Sequence, residues 1–347
     1  MQDDWMIARK QGRAGRLTFN RPKALNALDE SMAGVIETAL DQWRDDPEVA
    51  LVIIDAAGER AFCAGGDIAA VYHAGRAGNF ELGAQFWRAE YRMNAKIAEY
   101  PKPIIAFMQG FVMGGGVGVG GHASHRVVGE TTQIAMPETG IGLIPDVGGT
   151  LILARAPGRV GEYLGTTGGR IGAADALYAG FADIYLPEAR WPDVIAELTR
   201  TGEASVIPRG FQPEVKGFLA ERRPDIEAIF GGKDMAAIIT TLEGMETKFA
   251  AETLTTLRRN SALSEECTLR LIRMTRALPN IREALSNEFR FTLRAVEHSD
   301  FLEGVRAQII DKDRAPRWAY RLDTLPEDLV ARLLAPLPRE WEIDFDA

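Results

Sequence analysis

Two glycine-rich turns, each a short way behind an apolar run, are where the backbone of this chain could do chemistry. Residues 51–54 run on into residues 61–67 (AFCAGGD), and Ile104–Met108 runs into the dense glycines between Gly110 and Gly121. Glycine puts no Cβ between a main-chain N–H and a ligand, so such turns bring amides close to an oxygen atom. Two amides from separate turns can stabilise an oxyanion made from a carbonyl. Glu138, in the segment MPETG, adds a lone carboxylate downstream. Two donors and one acid together point to acyl chemistry.

A rival reading starts from the same glycines. Residues 116–121 (GVGVGG) satisfy G-x-G-x-x-G behind a strand, and Glu138 lies near the distance of a ribose-binding acid. Against nicotinamide or flavin binding, the stretch before the next apolar run is too short for that motif's long helix. The 61–67 turn would also be left without a role. No G-x-x-x-x-G-K-[ST] occurs, which removes a phosphate loop. Cys63 sits inside the first turn without a histidine spaced to activate it, so it reads as a small packing residue. Cys63 and Cys267 are too few and too far apart for a metal motif or a disulfide framework.

The elements that must position these groups fill roughly the first 190 residues. Residues 16–20 read as a strand ending at Arg21-Pro22, and residues 29–43 as a helix with Met32, Ile36, Ala39, Leu40 and Trp43 on one face and Asp29 as its cap. Residues 51–55, 104–108 and 126–128 read as further strands, and a stretch through Val71 and residues 86–98 as helices. This alternation implies a parallel sheet covered by helices. Residues 201–232 are polar, carry Pro and Gly, and read as a connector. Beyond Asp234 the chain is helical in composition: 252–260, 264–277, 281–297 and 300–309, with Ser264 and Asn280 as candidate caps. The division expected is a core over residues 1–200 and a connector with a helical region over 201–347.

Of 347 residues, 46% are hydrophobic and 26% charged, ordinary for a globular protein with one large domain and an appendage. A net charge of −9 argues against nucleic acid as a partner. Arg270, Arg273 and Arg276 recur at helical spacing, with Arg258 and Arg259 upstream, and read as a solvated helix face. The N-terminal residues show no signal-peptide core, and no run of 18 apolar residues occurs, so neither secretion nor a membrane span is expected. The setting expected is cytoplasmic.

The chain resembles the crotonase (enoyl-CoA hydratase/isomerase) superfamily. The resemblance rests on FNRPKALNAL (19–28), AFCAGGDI (61–68), KPIIAFMQGFVMGGGVG (102–118) and the segment 136–150. Within it, FWRAEYRMN (86–94), MPETGIGLIPDVGG and the tail DFLEGVRAQIIDKDRAPRW (300–318) are most similar to the branch that hydrolyses short 3-hydroxyacyl-CoA thioesters in valine breakdown. The resemblance implies an α/β fold, a ββα spiral core with a C-terminal helical subdomain. It implies an acyl-CoA substrate, no metal or redox cofactor, and a homo-oligomer, trimer or hexamer.

Residue by residue, the resemblance makes the amides of Gly66 and Gly115 the oxyanion donors, the latter at a helix N-terminus. It makes Glu138 the principal catalytic carboxylate, with Asp146 and Glu90 completing the acyl pocket. Lys23 and Ala24 would line the path of the CoA phosphates, and Ala64 and Asp67 flank the adenine-binding turn. Hydratases carry a second catalytic glutamate two residues after the glycine triplet; here Gly118 stands in its place, so syn hydration lacks half its acid–base pair. Asp146 also matches dienoyl-CoA isomerases, which lack the tail. His122 and His125 match no family role and read as packing or surface residues. The alternatives left open are an enoyl-CoA hydratase/isomerase and a non-catalytic acyl-CoA-binding protein.

Overall fold

The computed structural model describes residues 4–278 and 280–346. The chain divides into two compact units, each drawn from three separate stretches. One unit takes the chain up to residue 67, then 89–135 and 170–218; the other takes 68–88, 136–169 and the chain from 219 onward.

The first unit carries the strands. In chain order they are β1 (Met6–Gln11), β2 (Ala14–Phe19), β3 (Leu51–Ala56), β4 (Ala61–Cys63), β5 (Ile104–Met108), β6 (Phe111–Met113), β7 (His125–Val128), β8 (Gln133–Ala135) and β9 (Ile184–Tyr185). The larger sheet runs β1-β2-β3-β5-β7-β9 and the smaller β4-β6-β8. Among the strand pairs of the described residues only the β1–β2 hairpin is antiparallel. Each passage from β3 to β4, β5 to β6 and β7 to β8 therefore leaves the large sheet and enters the small one. Three such steps make the expected spiral.

Strand alternation explains the core. Leu51, Ile53, Ile105, Phe107 and Val127 share one face of the large sheet and pack with Trp191, Val194 and Leu198 of the Trp191–Thr201 helix. Phe107 meets Trp191 at 5.3 Å between ring centroids. Because both faces of these strands are buried, the sequence there reads as a continuous apolar run rather than an alternation. The Glu30–Arg44 helix forms where its periodicity places it. It buries Met32, Ile36, Ala39, Leu40 and Trp43, and the Asp29 side chain accepts from the Met32 N–H at 2.9 Å.

The second unit is helical. Its C-terminal part holds Leu219–Phe230, Met235–Glu243, Lys248–Arg259, Ala262–Thr275, Ile281–His298 and Phe301–Val305. Asn280 caps its helix as expected, accepting from the Glu283 N–H at 3.0 Å. Three expectations are corrected. The cap of the Ala262–Thr275 helix is Ser261, whose hydroxyl accepts from the Ser264 N–H, so Ser264 lies inside the first turn. The Leu219–Phe230 helix begins within the stretch read as a connector; Pro224, which lies inside the helix and removes one of its N–H donors, hid it. Residues 300–309 hold a short helix continued by a π-turn, Arg306–Ile310, rather than one regular helix.

The arginine row is not a solvated face. Arg273 donates to the carbonyls of Phe230, Gly232 and Lys233, closing the end of the Leu219–Phe230 helix. Arg276 pairs at 2.6 Å with Glu162, a carboxylate with no solvent exposure. Among the described residues no helix is long and apolar enough to cross a membrane.

Candidate active site

In the first unit the two glycine turns meet. Gly65 adopts φ 116°, open to glycine but not to a residue with a Cβ. Leu28 and Gly66 form a parallel bridge in which the Leu28 N–H reaches the Gly65 carbonyl and the Asp67 N–H reaches the Leu28 carbonyl. That ladder uses the amides on either side of Gly66 and turns the Gly66 N–H away from it. The second turn passes through Gly114, φ 47° and ψ −117°, into the six-residue helix Gly115–Gly120, whose first N–H groups have no partner within it. A Cβ built on Gly115 would stand 3.4 Å from the Gly66 nitrogen and 2.6 Å from Glu90 Oε1. Gly66, Gly115 and Glu90 thus converge, and the space between them exists because residue 115 is glycine.

The same packing answers the rival readings. A Cβ on Gly116 would fall 2.1 Å from the Cys63 carbonyl oxygen, so these glycines seat a short helix against β4. That helix is far shorter than a dinucleotide fingerprint requires. Cys63 is fully buried, and desolvation pushes its thiol up to about 12, which keeps it protonated and inert. His125 lies beside the Ser124 hydroxyl, its basicity lowered by burial and then by Arg209. Glu90 leaves the charged face of its helix: Arg88 pairs with Glu81 and Arg92 with Glu37, whereas Glu90 is 2% exposed.

The residues implied for the CoA path also lie together in this unit. Lys23 and Ala24 are in the 3-10 turn Pro22–Ala24, and the Ala64 N–H bonds the Leu25 carbonyl just after it. Asp67 is engaged by Arg21 at 2.7 Å, and Arg21 in turn lies over the Trp5 ring. Sequence reasoning missed Arg21. It also missed Asn26, which sits at φ 56° and whose amide bonds the Ala57 and Ala61 carbonyls, tying the first segment to the glycine turn.

The acidic residues Glu138 and Asp146 belong to the second unit. Both are buried, 5% and 4% exposed. Glu138 opens the 3-10 turn Glu138–Ile141, and its neighbour Thr139 is held on three sides. The Thr139 hydroxyl donates to the Thr166 carbonyl, the Asn260 amide donates to the Thr139 hydroxyl at 3.2 Å, and the Ser261 N–H reaches the Thr139 carbonyl at 3.0 Å. Ser261 donates to Asp300 at 2.6 Å, and Asp300 accepts the Ala319 N–H. Burial pushes the Asp300 carboxyl up. Asp146 precedes Val147, which holds φ 54°, a strained value for a β-branched residue, and Gly148 at φ 76°. Glu288 receives the N–H groups of Gly148 and Thr150 and the Thr150 hydroxyl. Asn260, Ser261, Asp300 and Glu288 were not singled out from the sequence. A signal existed for Glu288 alone, a charge on the apolar stripe Ala284, Leu285, Thr292 and Ala295.

The enoyl-CoA hydratase/isomerase family pattern matches residues 14–334. The chain belongs to that family. Two relatives within it are the mitochondrial 3-hydroxyisobutyryl-CoA hydrolase of Xenopus tropicalis, 40% identical over 92% of this chain and 85% of that protein, and 3-hydroxyisobutyryl-CoA hydrolase 1 of Arabidopsis thaliana, 38% identical over 94% and 90%. A crystal structure described as an enoyl-CoA hydratase from Rhodobacter sphaeroides 2.4.1 superposes with a TM-score of 0.94 at 52% identity, over 98% of this chain and 99% of its own. The match covers the helical tail as well as the spiral core. The cytoplasmic setting expected from the sequence is overturned, because the matched animal family members are named as mitochondrial enzymes.

Proposed function

We infer that the protein is an acyl-CoA thioester hydrolase that converts 3-hydroxyisobutyryl-CoA to 3-hydroxyisobutyrate and CoA, a step of valine breakdown. The observation that carries the reading is the close approach of Gly115 to the Gly66 nitrogen, 3.4 Å from where a Cβ on Gly115 would stand, together with Gly118 in place of a second acid. Near full-length similarity to hydrolases supports it.

In this reading the thioester carbonyl accepts from the Gly66 and Gly115 amides. Sulfur donates poorly into that carbonyl, so it is electrophilic, and the charge made on attack falls on the oxygen the amides hold. Glu138 acts either as general base on water or as the nucleophile that forms a mixed anhydride, which water then cleaves. Asp146 and Glu90 hold the 3-hydroxyl of the acyl group and steer water or the departing thiolate. Lys23, Ala24, Ala64 and Asp67 receive the CoA moiety. The chemistry asks for no metal or redox group, and the protein works as a homo-oligomer, trimer or hexamer.

The description of the Rhodobacter structure as a hydratase keeps a second reading in view. The Glu138→Gln variant, assayed for thiol release and for acyl-CoA binding, tests the first. Hydrolysis should collapse while binding persists; near-normal turnover would remove the mechanism.

A further inference from the structure

We propose that Glu288 is the positioning residue that aims Asp146, and that it thereby sets the preference for acyl groups bearing a 3-hydroxyl. The inference rests on the reading of Asp146 as the partner of that hydroxyl.

The turn from Asp146 to Thr150 cannot hold its own shape. Val147 is β-branched and left-handed at φ 54°, a conformation that persists only where surroundings enforce it. The Gly149 N–H closes back on the Asp146 carbonyl at 2.6 Å, so the turn swings as one piece with Asp146 at its start. Three further donors of the turn go to one side chain. Glu288 Oε2 takes the Gly148 N–H at 2.7 Å, and Oε1 takes the Thr150 N–H at 3.0 Å together with the Thr150 hydroxyl. The Thr275 hydroxyl donates to the Thr150 hydroxyl from the Ala262–Thr275 helix. Glu288 has no solvent exposure and sits on the core-facing stripe of the Ile281–His298 helix.

A carboxyl is the group this turn needs. Each of its two oxygens faces a backbone N–H, and a carboxyl accepts at both whether it is ionised or carries its proton toward the Thr150 hydroxyl, which can accept as well as donate. A glutamine there places an NH₂ against the N–H of Gly148 or of Thr150, so one end of the turn must let go. An aim error of about 1 Å costs on the order of 10²-fold in rate. The loss should fall on recognition of the hydroxyl, because a site built for a hydroxyl gains its selectivity from that bond.

The test compares kcat/KM for 3-hydroxyisobutyryl-CoA and isobutyryl-CoA by thiol release, using the full-length wild type, E288Q and D146N, with Tm recorded for each. The wild type should prefer the hydroxylated substrate, and E288Q should lower that preference about 10- to 100-fold. Replacing Thr150 by valine should lower it less, and T150S should restore it; this pair also decides the matter if E288Q does not fold. Equal losses on both substrates in E288Q and T150V, or no loss in either, would overturn the positioning role. If D146N leaves the preference intact, it is the reading of Asp146 that fails. If D146N abolishes it while E288Q keeps it, Glu288 alone is ruled out.

Discussion

Gly304 lies so close against Ile141 that a Cβ on it would stand 2.1 Å from the Ile141 carbonyl oxygen. Ile141 ends the turn that Glu138 begins, so the glycine of the tail motif DFLEGVR packs directly on the backbone that presents the acid. Gly304→Ala must push that turn away. It should cost about 1–3 kcal/mol of stability, as overpacking does, and lower kcat more than it raises KM. Thermal unfolding and steady-state thiol release check both; an alanine variant with unchanged kcat would show that the turn tolerates the shift.

Gly115→Ala should be severe for activity. The new methyl would occupy the space bordered by the Gly66 amide and Glu90 Oε1, where the substrate oxygen is proposed to bind. Loss of one oxyanion donor typically costs about 10²–10³ in kcat, and that range is expected here with a Tm change of only a few degrees. Full activity in the alanine variant would rule out this place as the oxyanion site.

Crotonyl-CoA should not be hydrated. Gly118 stands where a hydratase carries its second acid, so incubation with the enzyme should leave the enoyl absorbance unchanged while 3-hydroxyisobutyryl-CoA releases thiol. Rapid decay of that absorbance would favour the hydratase reading.

Stability should fall as pH rises from about 4.5 to about 8 through Glu288. Burial outweighs its three donors and, with Asp146 nearby, pushes the carboxyl from the ordinary 4.5 to about 8. Between those values the unfolded chain has lost the proton and the folded protein keeps it, so the contribution is full below pH 4.5 and is lost as pH passes 8. Denaturant melts across this window should show a negative slope that E288Q lacks. An identical slope in both proteins would assign the titration elsewhere.

Glu162→Gln should destabilise the helical unit while leaving the chemistry of the folded protein unchanged. The buried carboxylate pairs with Arg276 at 2.6 Å and Arg159 at 2.8 Å, and Arg273 lies 3.8 Å away. Removing one partner of a buried pair leaves charge uncompensated and costs about 3–5 kcal/mol. A large fall in the urea midpoint is expected, with KM unchanged in the folded fraction.

What could be read from the residues beforehand was whatever is local. The Glu30–Arg44 helix declares itself by its period and by Asp29, and β5 by an unbroken apolar run. The glycine turns were legible because glycine has a backbone meaning. Segments that depend on distant partners were not. Nothing near Glu138 announces that Asn260 and Ser261, the latter backed by Asp300, hold its neighbour Thr139, and nothing near Arg273 announces the carbonyls of Phe230 and Gly232. Charges on an apolar stripe are the trace such partners leave, and Glu288 is one.

The bonds from Asn260, Ser261 and Asp300 have a consequence for synthesis. The stretch that bears Glu138 emerges from the ribosome more than a hundred residues before the side chains that clamp it. At about 5–20 residues per second, that is a wait of roughly ten seconds. During it the nascent chain exposes an unfinished acidic turn and the apolar surface around it. A shortened polypeptide ending before Asp300 would stay in that condition, a client for chaperones rather than a smaller enzyme.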